Sequence, residues 1–168
     1  TAAYNRDGLD TASLLRLVAE RGRGAWIRLM YTHPEHLTDN LIEAVASIPE
    51  VVKYLDIPFQ HVSAGILKAM NRGGDAVSGL ALIERLRRDI PGVRIRSTFM
   101  VGFPGETDDD FSELMNFIKR ASLDRVGAFI FSPEEGTPAS ELVDSVPSSV
   151  KKRRYNRLMK RQQKISRD

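Results

Sequence analysis

Short apolar runs alternate along this chain with longer stretches in which apolar residues recur every three or four positions. The runs at 26–31, 51–59, 93–103 and 126–132 are rich in Val, Ile, Phe and Tyr, and turn residues follow each one. That is the signature of strands. The windows between them have helical spacing. Residues 11–20 place Leu14, Leu15 and Val18 on one face. Residues 38–47 start from Thr38 as a cap and carry Leu41, Ile42 and Val45. The short window 64–70 reads as helix. Residues 78–89 carry Leu82, Ile83 and Leu86, and 108–121 carry Phe111, Leu114, Met115 and Ile118. Residues 150–166 carry Tyr155, Leu158, Met159 and Ile165 at looser spacing.

Strands separated by helices imply a parallel sheet with right-handed crossovers, an α/β fold. Four strands are too few to close a barrel, which usually takes about eight. The chain therefore reads as an open doubly wound sheet or as part of a larger barrel. In either case ligands gather at the C-terminal ends of the strands. Those ends are Tyr31-Thr32-His33-Pro34, Asp56-Ile57-Pro58-Phe59-Gln60-His61, Gly102-Phe103-Pro104-Gly105-Glu106 and Phe131-Ser132-Pro133-Glu134-Glu135-Gly136. Any strand-to-helix loop needs turn residues, but four polar loops of this kind together favour a binding site.

The third strand is the most informative. Side chains alternate along a strand, so Arg94, Arg96, Thr98, Met100 and Gly102 share one face. Ile95, Ser97, Phe99, Val101 and Phe103 share the other, which suits packing against helices. A buried Arg96 needs a partner. Two remain open: a ligand carboxylate gripped by the planar fork, or a protein carboxylate such as Asp56. Gly102 lets a ligand approach the backbone, and Gly105 permits a tight turn. Thr107 is expected to cap the next helix, with Asp108, Asp109 and Asp110 in its first turn. Those acids would repel a phosphate there.

Composition narrows the chemistry further. The chain has no cysteine, so these residues supply no disulfide, thiolate nucleophile or cysteine-ligated cluster. Its three histidines are His33, His36 and His61. The first two flank a proline in a loop, which is weak evidence for a metal, and no metal ligand is assigned. His61 reads with Gln60 as lining a pocket. Glu106 reads as stabilising its turn or touching a ligand rather than as a general acid or base. Nothing resembles a nucleophile–base–acid triad, and no catalytic residue is assigned. Net charge is only +3, yet Lys151, Lys152, Arg153, Arg154, Arg157, Lys160, Arg161, Lys164 and Arg167 crowd the last stretch. A solvated helix face is the plainer reading, and an electrostatic footprint for RNA is the other. No apolar run is long enough to span a bilayer, and the first ten residues lack the pattern of a signal peptide.

Three strings resemble the radical S-adenosylmethionine (SAM) methylthiotransferases. They are Tyr54-Leu55-Asp56-Ile57-Pro58-Phe59-Gln60-His61, Leu67-Lys68-Ala69-Met70-Asn71-Arg72 and Val101-Gly102-Phe103-Pro104-Gly105-Glu106-Thr107. The likeness covers nearly the whole chain, in order and in spacing. The last string is shared by several branches of that family, and other stretches discriminate. The branch that modifies tRNA usually shows Pro-Val-Gln-Ser-Gly-Ser where this chain has Pro58-Phe59-Gln60-His61-Val62-Ser63. It favours Asp in place of Thr98, and Arg-Pro in place of Glu134-Glu135. Asn71-Arg72-Gly73-Gly74, Leu123-Asp124-Arg125-Val126-Gly127 and Phe131-Ser132-Pro133-Glu134-Glu135-Gly136-Thr137 are similar instead to the branch acting on ribosomal protein.

The resemblance implies a partial (β/α)6 barrel, TIM-like, with residues 1–168 holding its C-terminal four β/α units. It implies SAM as cofactor, together with 4Fe–4S clusters. One cluster would sit on a C-x-x-x-C-x-x-C loop after the first barrel strand and the second in an N-terminal domain, all outside this chain. A C-terminal β-barrel domain would follow, and the chain alone is expected to be inactive. The implied reaction, in the cytoplasm, adds a methylthio group to the β-carbon of an aspartate in a small-subunit ribosomal protein. The alternatives are a tRNA adenosine substrate, or a non-catalytic module docking on RNA or the ribosome through the basic C-terminal helix. Carried over residue by residue, the Gly102 turn would meet the SAM adenine, and Phe131 and Ser132 would close its pocket. Gln60 would touch the ribose or methionine part, and Arg96 and Thr98 the carboxylate. Apart from the resemblance, the strand ends themselves offer His33, His61 and Glu106 as candidates for the substrate pocket.

Overall fold

The side chain of Asp10 accepts the backbone N–H of Ser13 at 2.7 Å and so starts α1 (Thr11–Arg21). Before it stand β1 (Asn5–Arg6) and β2 (Leu9–Asp10), a short antiparallel pair that the apolar pattern does not announce. The computed structural model describes residues 2–6, 8–22 and 24–167. After α1 come α2 (Asp39–Ser47), β3 (Tyr54–Asp56), α3 (Ala64–Ala69) and α4 (Ala76–Asp89). Then follow β4 (Arg94–Val101), α5 (Asp108–Ala121), β5 (Arg125–Ile130) and α6 (Ser148–Ile165). The alternation is that of an α/β fold.

The chain forms two compact units. One holds the residues up to Pro58 together with Ala81–Arg96; the other holds Phe59–Leu80 and the stretch from Ser97 onward. In the first unit, β3 and the start of β4 run parallel, with Tyr54 opposite Arg94, Leu55 opposite Ile95 and Asp56 opposite Arg96. The strand expected at 26–31 is reduced to one parallel bridge between Ile27 and Val51. The backbone of Ile27 bonds Glu50 and Val52, and Thr32 donates to the Asp56 carbonyl at 2.8 Å. Between those ties Tyr31 sits at φ +56°, a left-handed turn out of the pleat that interrupts the ladder. In α1 the buried stripe is Ala12, Leu15 and Ala19, while Val18 faces solvent. Leu15 of the expected face is thus buried, with the small Ala12 and Ala19 beside it in place of Val18.

In the second unit β4 continues, with β5 as its neighbour. Phe99 and Val101 are fully buried, as the alternation of the strand requires. Phe59, Phe99 and Phe117 form one aromatic cluster with ring centroids 5.6–6.4 Å apart. A side chain at Gly79 would reach within 3.0 Å of the Phe117 ring, which explains a glycine inside α4 despite its cost there. Thr107 and Asp110 form a reciprocal capping box at the start of α5. The buried stripe of α6 is Lys151, Arg154, Leu158 and Gln162. Three of those four are polar, so apolar spacing finds only Leu158.

Candidate functional site

Gln60 is fixed in the second unit by two backbone bonds to β4. Its N–H donates to the Thr98 carbonyl at 2.9 Å, and its own carbonyl accepts from Met100 at 2.7 Å. These bonds hold it at φ +68°, a conformation that costs a residue with a side chain about 1–2 kcal/mol. Strain of this kind persists where the surroundings over-determine it, often at ligand clamps. Asn71, just past α3, is also left-handed, at φ +56°. Both residues line one cleft of about 540 Å³, within the size range of small-molecule sites.

The floor of this cleft is apolar. Phe103 and Phe131 meet edge to face, with centroids 5.1 Å apart, and Ile66, Met70, Met100 and Ala139 pack around them. The rim is polar and includes Gln60, Asn71, Arg72, Ser132, Glu134 and Thr137. An apolar floor under a few directed polar groups suits a flat ligand with both characters.

Behind the floor lies a buried ionic network. Glu106 folds back so that Oε2 accepts the backbone N–H of Gly102, while its own N–H donates to the Phe103 carbonyl at 2.9 Å. Arg154 Nη1 lies 3.2 Å from the same carboxylate and donates to the Glu106 carbonyl at 3.0 Å. Its Nη2 donates to Asp108 at 2.8 Å. That hydrogen bond and the guanidinium charge hold the Asp108 carboxyl below the ordinary carboxylate value. His61 Nδ1 accepts the N–H of Ser63 at 3.0 Å, which assigns the proton to Nε2. Nε2 faces Glu106 Oε1 at 3.6 Å, too far for a hydrogen bond, and both atoms are buried without one.

Gly102 has φ +74°. A methyl carbon on it would overlap Lys151 Cγ and lie 2.8 Å from Lys151 Cδ. The close approach anticipated at this glycine is therefore made by a side chain of α6. Lys151 is itself buried. Its Nζ donates to Asp144 at 2.6 Å and to the Phe131 carbonyl at 3.4 Å, and stands 4.9 Å from the Phe131 ring centre.

The sequence-derived candidates thus separate. Gln60, Phe131 and Ser132 line the cleft, and Gly102 precedes Phe103 of its floor. Thr98 is buried on the face of β4 that also carries Met100. His61 and Glu106 are buried behind the floor instead of lining it, and Glu106 has the turn-stabilising role. Arg96 and His33 belong to the first unit. Arg96 makes the protein-carboxylate pair, with Nη1 2.8 Å from Asp56 Oδ1. His33 Nδ1 accepts the N–H of Glu35 at 3.3 Å and caps the short turn at Pro34–His36. Among the described residues no group of three His, Asp or Glu is placed to hold a metal. Sequence reasoning missed Asn71 and Arg72 as rim residues and left Lys151 and Arg154 in a solvated face. The signal available for the two cations was their spacing with Leu158 and Gln162 on one helical stripe.

Comparison with known proteins gives this geometry a context. Residues 2–118 match the model of the Radical SAM superfamily. The chain is similar to the ribosomal protein uS12 methylthiotransferase RimO of Moorella thermoacetica, at 53% identity over 170 aligned positions, 99% of this chain and 39% of that protein. The protein of the same name from Geobacter sulfurreducens is 46% identical over 97% of this chain and 37% of its own length. The chain therefore spans less than two fifths of these curated relatives. Among solved structures, coproporphyrinogen III oxidase (HemN) from Escherichia coli, a radical SAM enzyme, superposes with TM-score 0.70 at 17% identity over 90% of this chain and 36% of that one. Streptococcus suis SuiB, bound to its precursor peptide SuiA, superposes with TM-score 0.57 at 14% identity over 94% and 33%. These two likenesses concern the fold alone.

Proposed function

Since the chain belongs to the Radical SAM superfamily, we propose that it is part of a methylthiotransferase that modifies an aspartate of a small-subunit ribosomal protein in the cytoplasm. Its residues would form the C-terminal units of a partial (β/α)6 barrel. The observation that carries this reading is the 53% identity, across nearly the whole chain, to a protein named for that reaction. The cleft in the second unit adds a place for the cofactor. Phe131, Ser132 and the Gly102 turn are assigned to the SAM adenine, Gln60 to the ribose or methionine part, and Thr98 to the carboxylate end. The apolar floor and polar rim fit a ligand of that mixed character.

Bound SAM supplies the radical chemistry, and the residues of this chain bind it, orient it and keep water from its adenine face. A 4Fe–4S cluster does not fit these residues, because the chain has no cysteine to hold one. Reduction of SAM is therefore assigned to parts of the enzyme outside this chain. The exposed cations of α6, Lys152, Arg153, Arg157 and Lys160, border a shallow groove, and α6 carries no acidic residue. They are assigned to contact with the RNA around the substrate.

The test is anaerobic reconstitution of the full-length enzyme with iron, sulfide, SAM and a reductant, offering the ribosomal protein and tRNA separately. A methylthio adduct on an aspartate, seen by mass spectrometry, is the expected product. An adduct on tRNA would move the enzyme to the other branch. SAM cleavage with neither adduct would refute the substrate assignment.

A further inference from the structure

Two buried cations of α6 stand behind the aromatic floor of the cleft. Lys151 and Arg154 are three residues apart and share one helix face. Lys151 lays its stem under Gly102 and gives its ammonium to the carbonyl of Phe131 and to Asp144. Arg154 holds Glu106, and Glu106 holds the backbone N–H of Gly102, the residue before Phe103. Neither cation lines the cleft. For helix docking alone, apolar residues of similar volume would serve as well or better, because burying charge is costly even when it is paired. What the ionic ties add is direction. One fixes the Gly102 turn and the other fixes the end of β5.

We propose that Lys151 and Arg154 are positioning residues for the cofactor, setting the spacing of Phe103 and Phe131 by tying both to α6. The inference rests on the reading of this cleft as the SAM site. Lys151→Met keeps an unbranched stem of similar length in the space under Gly102, with sulfur in place of Cδ, and removes the ammonium. In the full-length reconstituted enzyme, equilibrium SAM binding, measured far below the melting temperature, weakens about tenfold in Lys151→Met, equivalent to about 1.4 kcal/mol. The melting temperature stays near wild type. Phe131→Leu also weakens SAM binding, and the double variant loses less than the sum of the two, because Lys151 acts through Phe131. Arg154→Lys keeps a charge but cannot bridge Glu106 and Asp108 with one fork. It recovers most of the melting temperature lost in Arg154→Met and not the SAM affinity. Wild-type affinity in Lys151→Met, or strictly additive losses, overturns the inference while leaving the cleft reading intact. Unchanged SAM binding in Phe131→Leu overturns both.

Discussion

Replacing Gly102 by alanine probes the contact between the β4 turn and α6 most directly. The substitution adds one methyl group and two separable costs. At φ +74° the left-handed backbone disfavours alanine by about 1–2 kcal/mol. The methyl would also overlap Lys151 Cγ and come within 2.8 Å of Cδ, and overpacking of this kind typically costs 1–3 kcal/mol. Gly102→Ala should therefore destabilise by about 2–5 kcal/mol, a large part of the 5–15 kcal/mol that usually holds a domain together. Lys151→Ala removes Cγ and Cδ and leaves only a Cβ at 3.0 Å, a distance that small adjustments can relieve. In that background Gly102→Ala should cost only the backbone part, about 1–2 kcal/mol. Urea unfolding of the four proteins of this cycle gives the numbers. An equal cost in both backgrounds would refute the steric argument, and a cost well under 1 kcal/mol in the native background would refute the backbone argument as well.

Arg96→Met leaves Asp56 fully buried with neither oxygen bonded to a side chain that carries charge; because Arg96 is about one-third exposed, the expected loss is about 2 kcal/mol, below the range for fully buried pairs, read from the urea midpoint. Burial raises the Asp110 carboxyl, but hydrogen bonds from Ser63 and Thr107 outweigh it and leave it below its ordinary value of 3.8. Its contribution is thus complete above that value and lost as pH falls below it through the folded value. Asp110→Asn should flatten the fall in stability as pH drops below about 4, and an unchanged slope would contradict the capping role. If Lys152, Arg153, Arg157 and Lys160 meet RNA phosphates, affinity in the full-length enzyme should fall with salt at a slope reduced by about 3 when all four become alanine, at roughly 0.7 per contact to a single strand.

Much of the framework was readable before any coordinates. The bounds of α5, its cap at Thr107 and the burial of Phe99 and Val101 follow from periodicities that tertiary contacts reinforce. Three of the residues read from the loop ends, Gln60, Phe131 and Ser132, line one cleft. What escaped depends on partners distant in the chain. No local rule announces that Tyr31 leaves the strand through a positive φ, since the run 26–31 that leads to it has the composition of a strand. Lys151 and Arg154 carry charges that composition assigns to solvent, and the carboxylates of Asp144, Glu106 and Asp108 offset the cost of their burial. Glu106 reads in the sequence as stabilising its turn or touching a ligand, and its side chain accepts the Gly102 N–H; His61 is buried outside the lining of the cleft. Sequence shows that a residue is chemically notable before it shows which way its side chain faces.

The dependence of the Gly102 turn on α6 also orders events in time. A chain is made from its N-terminus, so β4 and its turn leave the ribosome before Lys151 and Arg154 are added. During that interval Glu106 has a backbone amide to hold but lacks the cation that accompanies it in the finished protein. The carbonyl at the end of β5 likewise waits for its ammonium. Assembly of the cleft is thereby deferred until residues 151 and 154 are free to dock, so a translation product stopped short of residue 151 would carry every residue of the cleft and still lack its finished shape.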